Sequence, residues 1–154
     1  MIAYYLDASA FSKRFLKEPG SEWVNQEMQF VTTVLLASSE LLSVEVVSAV
    51  ARAHREKRIS VHRRNSIVEQ VREEVASFLQ TVQVTQPILK SASALTLTYG
   101  LRAYDAVHLA TAIQVRNRFD QLALPAPIFV SADMELLAAA KSEGFVTDNP
   151  NDHP

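Results

Sequence analysis

The chain has 154 residues, 48% of them hydrophobic, and a net charge of -2; that length and apolar content suit one compact domain, and no linker-like stretch divides it. Cys 0 excludes disulfides and thiolate metal sites, and the slight negative charge excludes a nonspecific nucleic-acid coater, which needs a strongly basic surface. The longest apolar runs, such as residues 31–37, are too short to span a bilayer, and the opening MIAYYLDAS enters an apolar strand with no basic leader, so a soluble cytoplasmic protein with no membrane partner is expected.

Residues 2–6 form an aromatic-rich run that reads as a buried strand ending at Asp7, and residues 8–16 take helical spacing through Phe11 and Phe15. Pro19-Gly20 breaks the chain, Ser21 suits an N-cap, residues 22–28 make a second short helix, and residues 30–36 read as a β-branched strand. Residues 39–57 are helical, with Leu42, Val46, Ala49, Val50 and Ala53 as an apolar stripe and Glu45 set within it. Basic residues gather toward the end of that helix, as the dipole favours. Ser60 caps a further helix over residues 61–79, with Ile67, Val71, Val75 and Leu79 on one face, and a short strand over residues 82–84 is expected next. The two long helices read as a hairpin set against a sheet.

Pro87 stands in the first turn of a helix reaching Tyr99, and Gly100 suits its left-handed cap. Asp105 begins the next helix, whose core face is Ala106, Leu109, Ala110 and Ile113. Pro125 and Pro127 bracket a turn, residues 128–130 form a strand, Ser131-Ala132-Asp133 follows it, and residues 134–143 are helical with Gly144 as the stop. Residues 145–146 read as a last strand, and residues 147–154 as a polar, frayed tail.

Strands alternating with helices predict an α/β fold whose parallel sheet is covered on both faces and binds ligands at the strands' carboxyl ends. Asp7 and Asp133 follow strands, Asp105 opens a helix after a loop, and Glu45 reaches the same edge from its helix. Removing a carboxylate from water costs several kcal/mol, of order 20 in the idealised limit, so four together need a cation. With no Cys or His cluster, the chemistry points to a hard divalent ion, Mg²⁺ or Mn²⁺.

Each acid also has a structural reading. Asp7, Asp105 and Asp133 stand where helices begin and can serve as caps. Glu45, flanked by Val44, Val46 and Val47, has no capping role, and is either functional or salt-bridged to Arg52. Glu40 competes with it, five residues earlier. Ser9 and Ser131 each stand two residues from a proposed ligand, as helix caps or as supports of the acids. His108, alone on an apolar helix, reads as a hydrogen-bonded structural residue outside the metal site. Lys13, Arg14 and Lys17, and the run from His54 to Arg64, are either solvated faces or a basic rim around an acidic centre.

Four segments together carry a resemblance. Tyr4-Tyr5-Leu6-Asp7-Ala8-Ser9-Ala10 resembles the opening of a PIN domain, and Val44-Glu45-Val46-Val47-Ser48-Ala49-Val50-Ala51-Arg52 resembles its second acidic motif. Leu101 to Ala112, around Tyr104-Asp105-Ala106-Val107-His108, is similar to the third, and Phe129-Val130-Ser131-Ala132-Asp133 to the fourth. Order and spacing are similar to those of VapC-type toxins of toxin-antitoxin pairs. The resemblance implies a PIN-like α/β/α sandwich over residues 1–146 with a central, mainly parallel sheet. It also implies a ribonuclease that uses Mg²⁺ (or Mn²⁺) to activate water. Asp7 and Asp105 would be the principal ligands, Glu45 and Asp133 would complete the site, and Ser9 would support it with Ser131 beside it. Lys13, Arg14 and Arg52 would hold flanking RNA phosphates. A homodimer and a VapB-type antitoxin are the implied partners. Two other readings remain: an aspartyl phosphotransfer enzyme, which usually has an acid where Ser9 stands, and a catalytically silent RNA-binding or protein-interaction module.

Overall fold

The alternation of side chains along β1 (Ile2–Leu6) divides the interior in two, because successive residues of a strand face opposite sides of the sheet. Ala3 and Tyr5 enter one core with Phe129, while Tyr4 and Leu6 enter the other with Val130. The computed structural model describes residues 1–29 and 31–154. Among these residues, β1 is the central strand of a five-stranded sheet in the order β3-β2-β1-β4-β5, with β2 (Val34–Ser39), β3 (Leu79–Val82), β4 (Ile128–Val130) and β5 (Thr147–Asp148). Every pairing is parallel, with Tyr4 opposite Leu36 on one side and Ile128 on the other.

One face of the sheet is covered by α1 (Ala8–Phe11), α2 (Ser21–Glu27), α3 (Leu42–Arg55) and α4 (Val61–Phe78). The expected hairpin is α3 with α4: Val46, Val50 and Ala53 pack with Ile67 and Val71, all fully buried. The opposite face carries α5 (Gln86–Tyr99), α6 (Ala103–Gln121) and α7 (Met134–Ser142). Seven consecutive residues of α6, Ala106 to Ala112, are buried, as for a helix packed on several sides rather than along one stripe. Thr111 is satisfied there by donating to the Val107 carbonyl at 2.7 Å.

Several boundaries differ from expectation for identifiable reasons. The first helix lasts one turn and continues as a 3-10 turn, Ser12–Arg14. The strand expected from residue 30 is observed as Val34–Ser39; Phe30 lies outside the described residues. Its last two residues are buried serines, Ser38 donating to the Leu6 carbonyl at 2.6 Å, which holds them in the sheet rather than in the following helix. The third strand starts at Leu79, opposite Leu36, not at residue 82.

The tail expected to fray is instead tied down. Thr147–Asp148 pairs with β4, and Asn149 and Pro150 are buried. His153 stacks on Trp23 at 4.3 Å between ring centroids, while its Nε2 meets Asp148 Oδ1 at 2.8 Å. Gly20 makes this strap possible: its φ is +85°, and a Cβ there would overlap the Pro150 carbonyl oxygen.

Candidate active site

The chain builds outward from β1 through β2 to β3, then crosses back through α5 and α6 to place β4 and β5 on the other side of β1. The order reverses between β1 and β4, and at such a point the diverging connections leave a crevice at the carboxyl edge. Asp7 follows β1 there and Asp133 follows β4 within three residues. Asp105 enters from the first turn of α6, and Glu45 from the first turn of α3. One cleft is lined by all four acids together with Ser9, Arg52, Arg102 and Tyr104.

Asp7 is 4% exposed and caps α1 by accepting from the Ala10 N–H at 3.0 Å. Ser9 Oγ shares its proton between the two carboxylate oxygens at 2.7 and 2.9 Å, and Ser131 Oγ donates to Oδ2 at 2.6 Å. The two hydroxyls are positioned by the loop after β4. Its Ala132 N–H donates to Ser9 Oγ at 2.8 Å and its Asp133 N–H to Ser131 Oγ at 3.0 Å, which holds both hydroxyls in place, and since an ionised carboxylate only accepts, their protons turn to Asp7. Burial nevertheless pushes the Asp7 carboxyl above its ordinary range, against the opposing effects of His108, the two serines and Ala10.

Glu45 is held by His108, not by the Arg52 one might pair with it: His108 Nε2 lies 2.7 Å from Glu45 Oε1. An ionised carboxylate only accepts, so Nε2 carries a proton, and Nδ1 lies 3.0 Å from the buried Tyr5 hydroxyl. Glu40, the competitor in sequence, instead accepts from the Val84 N–H at 2.7 Å. Asp133 caps α7 through Leu136 N–H with one oxygen, and its other oxygen meets Arg102 at 3.3 Å. Arg102 Nε also lies 3.4 Å from Asp105 Oδ2. Burial first, then the neighbouring Asp133 charge, raises the Asp105 carboxyl, with Arg102 acting the other way.

Arg102 is the functional candidate that sequence reasoning missed, although it stands inside the third motif; only the fold shows it between two acids. Two of the proposed RNA contacts need correction. Lys13 is 4% exposed and paired with Glu18 at 3.3 Å, and Arg14 is engaged by Glu74 at 2.9 Å and the Met28 carbonyl at 3.0 Å; neither lines the cleft. Arg52 does line it and is exposed.

The donor set fits a hard divalent ion: carboxylate oxygens throughout, with hydroxyls behind them and like-charge strain at Asp105 that a cation relieves. As arranged, no three His, Asp or Glu side chains among the described residues close on a single ion. Arg102 engages Asp105 and Asp133, and His108 engages Glu45.

The family model for the PIN domain matches residues 4–118. The chain belongs to the PIN domain family. It is 27% identical over 146 residues to ribonuclease VapC47 of Mycobacterium tuberculosis (strain CDC 1551 / Oshkosh), covering 95% of this chain and 96% of that protein. Two solved structures share the fold. A toxin-antitoxin complex from Klebsiella pneumoniae superimposes with a TM-score of 0.59 at 14% identity, over 96% of this chain and 97% of that one. The structure of FitAB bound to an IR36 DNA fragment gives 0.62 at 18% identity, over 97% and 95%. The PIN-like α/β/α architecture expected from the motifs is therefore the observed one.

Proposed function

We propose that this chain is a VapC-type toxin: an endoribonuclease that uses Mg²⁺ or Mn²⁺ to hydrolyse RNA phosphodiester bonds in the cytosol and is silenced by a VapB-type antitoxin. The observation that carries the reading is the meeting of four acids, separated by up to 126 positions, in one cleft at the reversal point of the sheet. The near full-length similarity to a ribonuclease supports the reaction, and the shared fold with a toxin-antitoxin complex supports the partner. A homodimer is part of the same reading.

Asp7, Glu45, Asp105 and Asp133 would hold the metal, which when bound supplies Lewis-acid polarisation of the phosphate and a more acidic water. The chain's own part is placement. Ser9 and Ser131 favour the ionised form of Asp7 against its burial and aim it, and His108 fixes the rotamer of Glu45. Arg52, exposed at the wall, offers a guanidinium to a flanking phosphate of the substrate. The test is end-labelled RNA incubated with purified protein in Mg²⁺, in Mn²⁺ and in chelator, beside Asp7→Asn. Internal cleavage that needs the metal and is lost in Asp7→Asn is expected. Cleavage that persists in chelator, or at the parent rate in the variant, overturns the reading.

A further inference from the structure

Arg102 enters the acidic cleft from solvent. Its side chain is 83% exposed, whereas Asp105 and Asp133, which it bridges, are 21% and 26% exposed. It meets Asp105 Oδ2 and Asp133 Oδ2, and the other oxygen of Asp133, Oδ1, is already used by the Leu136 N–H. We propose that Arg102 is a built-in, displaceable counter-ion that occupies the cation position between Asp105 and Asp133 and competes with the divalent metal for it.

The inference rests on the metal-dependent reading above and assigns this residue a role within it. Two acids in a half-buried cleft repel each other, and one guanidinium across both neutralises that repulsion without any ion from solution. Contacts of 3.3 and 3.4 Å made by a solvent-exposed side chain are weak, so the arginine is readily exchanged. A divalent ion brings twice the charge and hard-oxygen preference, and Arg102 then swings out to the rim of the cleft. The centre is thus screened when metal is scarce and opens as metal rises.

Arg52 is the control, because it lines the same cleft yet makes no ion pair among the described residues. Mn²⁺ binding is measured by calorimetry on the purified chain, on Arg102→Gln and on Arg52→Gln, each checked for fold by circular dichroism. Removing an exposed double ion pair should tighten Mn²⁺ by about threefold or more in Arg102→Gln, with a smaller change in Arg52→Gln. Unchanged or weaker binding in Arg102→Gln overturns the proposal while leaving the metal-dependent reading intact. An equal gain in both variants also overturns it, since general charge rather than occupancy is then responsible. Failure of all three proteins to bind Mn²⁺ removes both readings.

Discussion

At the scale of single residues, the centre is organised by hydrogen bonds whose donors are positioned one step behind the acids. Ser131 Oγ is positioned by the Asp133 N–H and donates to Asp7 at 2.6 Å, since the carboxylate can only accept. Ser131→Ala should therefore keep the fold while lowering RNA cleavage by about 10- to 100-fold, the usual range for a support of a metal ligand. Parent-like turnover in a folded Ser131→Ala protein would make this serine a simple loop residue. The convergence of the acids was legible only from four motifs in order, since taken singly Asp7, Asp105 and Asp133 read as helix caps, and Asp7 and Asp133 do cap α1 and α7. Their partners were not legible. Glu45 stood closest in sequence to Arg52, yet its bond is to His108, 63 positions away, and such a pairing exists only once α3 and α6 meet over the sheet edge. Arg102 was invisible for the same reason, and Lys13 and Arg14 looked like free cations because Glu18 and Glu74 were not known to face them.

At the scale of elements, the strands and helices announced themselves where one physical signal dominated. Residues 128–130 and the cap at Gly100, φ +68°, came out as read. Signals failed where tertiary contact overrode composition. A polar tail rich in Pro and Asn became a strap because Asp148 completes the sheet edge and His153 finds Trp23. Gly20 is the hinge of that contact. Gly20→Ala meets both a left-handed backbone and the Pro150 carbonyl, so it should destabilise by more than about 1 kcal/mol. The single tryptophan reports the event directly: detachment of His153 should change the Trp23 emission. Unaltered emission and an unaltered unfolding midpoint would mean that the strap contributes nothing.

For the whole molecule, the cleft trades stability for charge. Asp7 and Asp105 titrate above their unfolded values, chiefly through burial, so the folded chain takes up protons more readily than the unfolded one. Their stabilising effect is full below the unfolded carboxylate range and is lost as pH rises through the raised folded values. In chelator, Asp105→Asn should therefore gain stability over the parent as pH climbs from 4 toward 7, read from urea midpoints. Mg²⁺ should raise the parent's midpoint and leave the variant's nearly unmoved, because a ligand stabilises only the state that binds it. A variant less stable than the parent at neutral pH in chelator would contradict the sign. The sandwich itself was legible from strand and helix alternation, and its all-parallel sheet needs only that each crossover be helical.

Ser131 and Asp7 are 124 positions apart, and their bond joins the first strand to a loop near the end of the chain. Synthesis therefore runs most of its course before the first acid acquires its clamp. An incomplete polypeptide stopping short of β4 carries Asp7, Glu45 and Asp105 but neither Ser131 nor Asp133, so the four-acid cleft is assembled only when nearly the whole chain has been made.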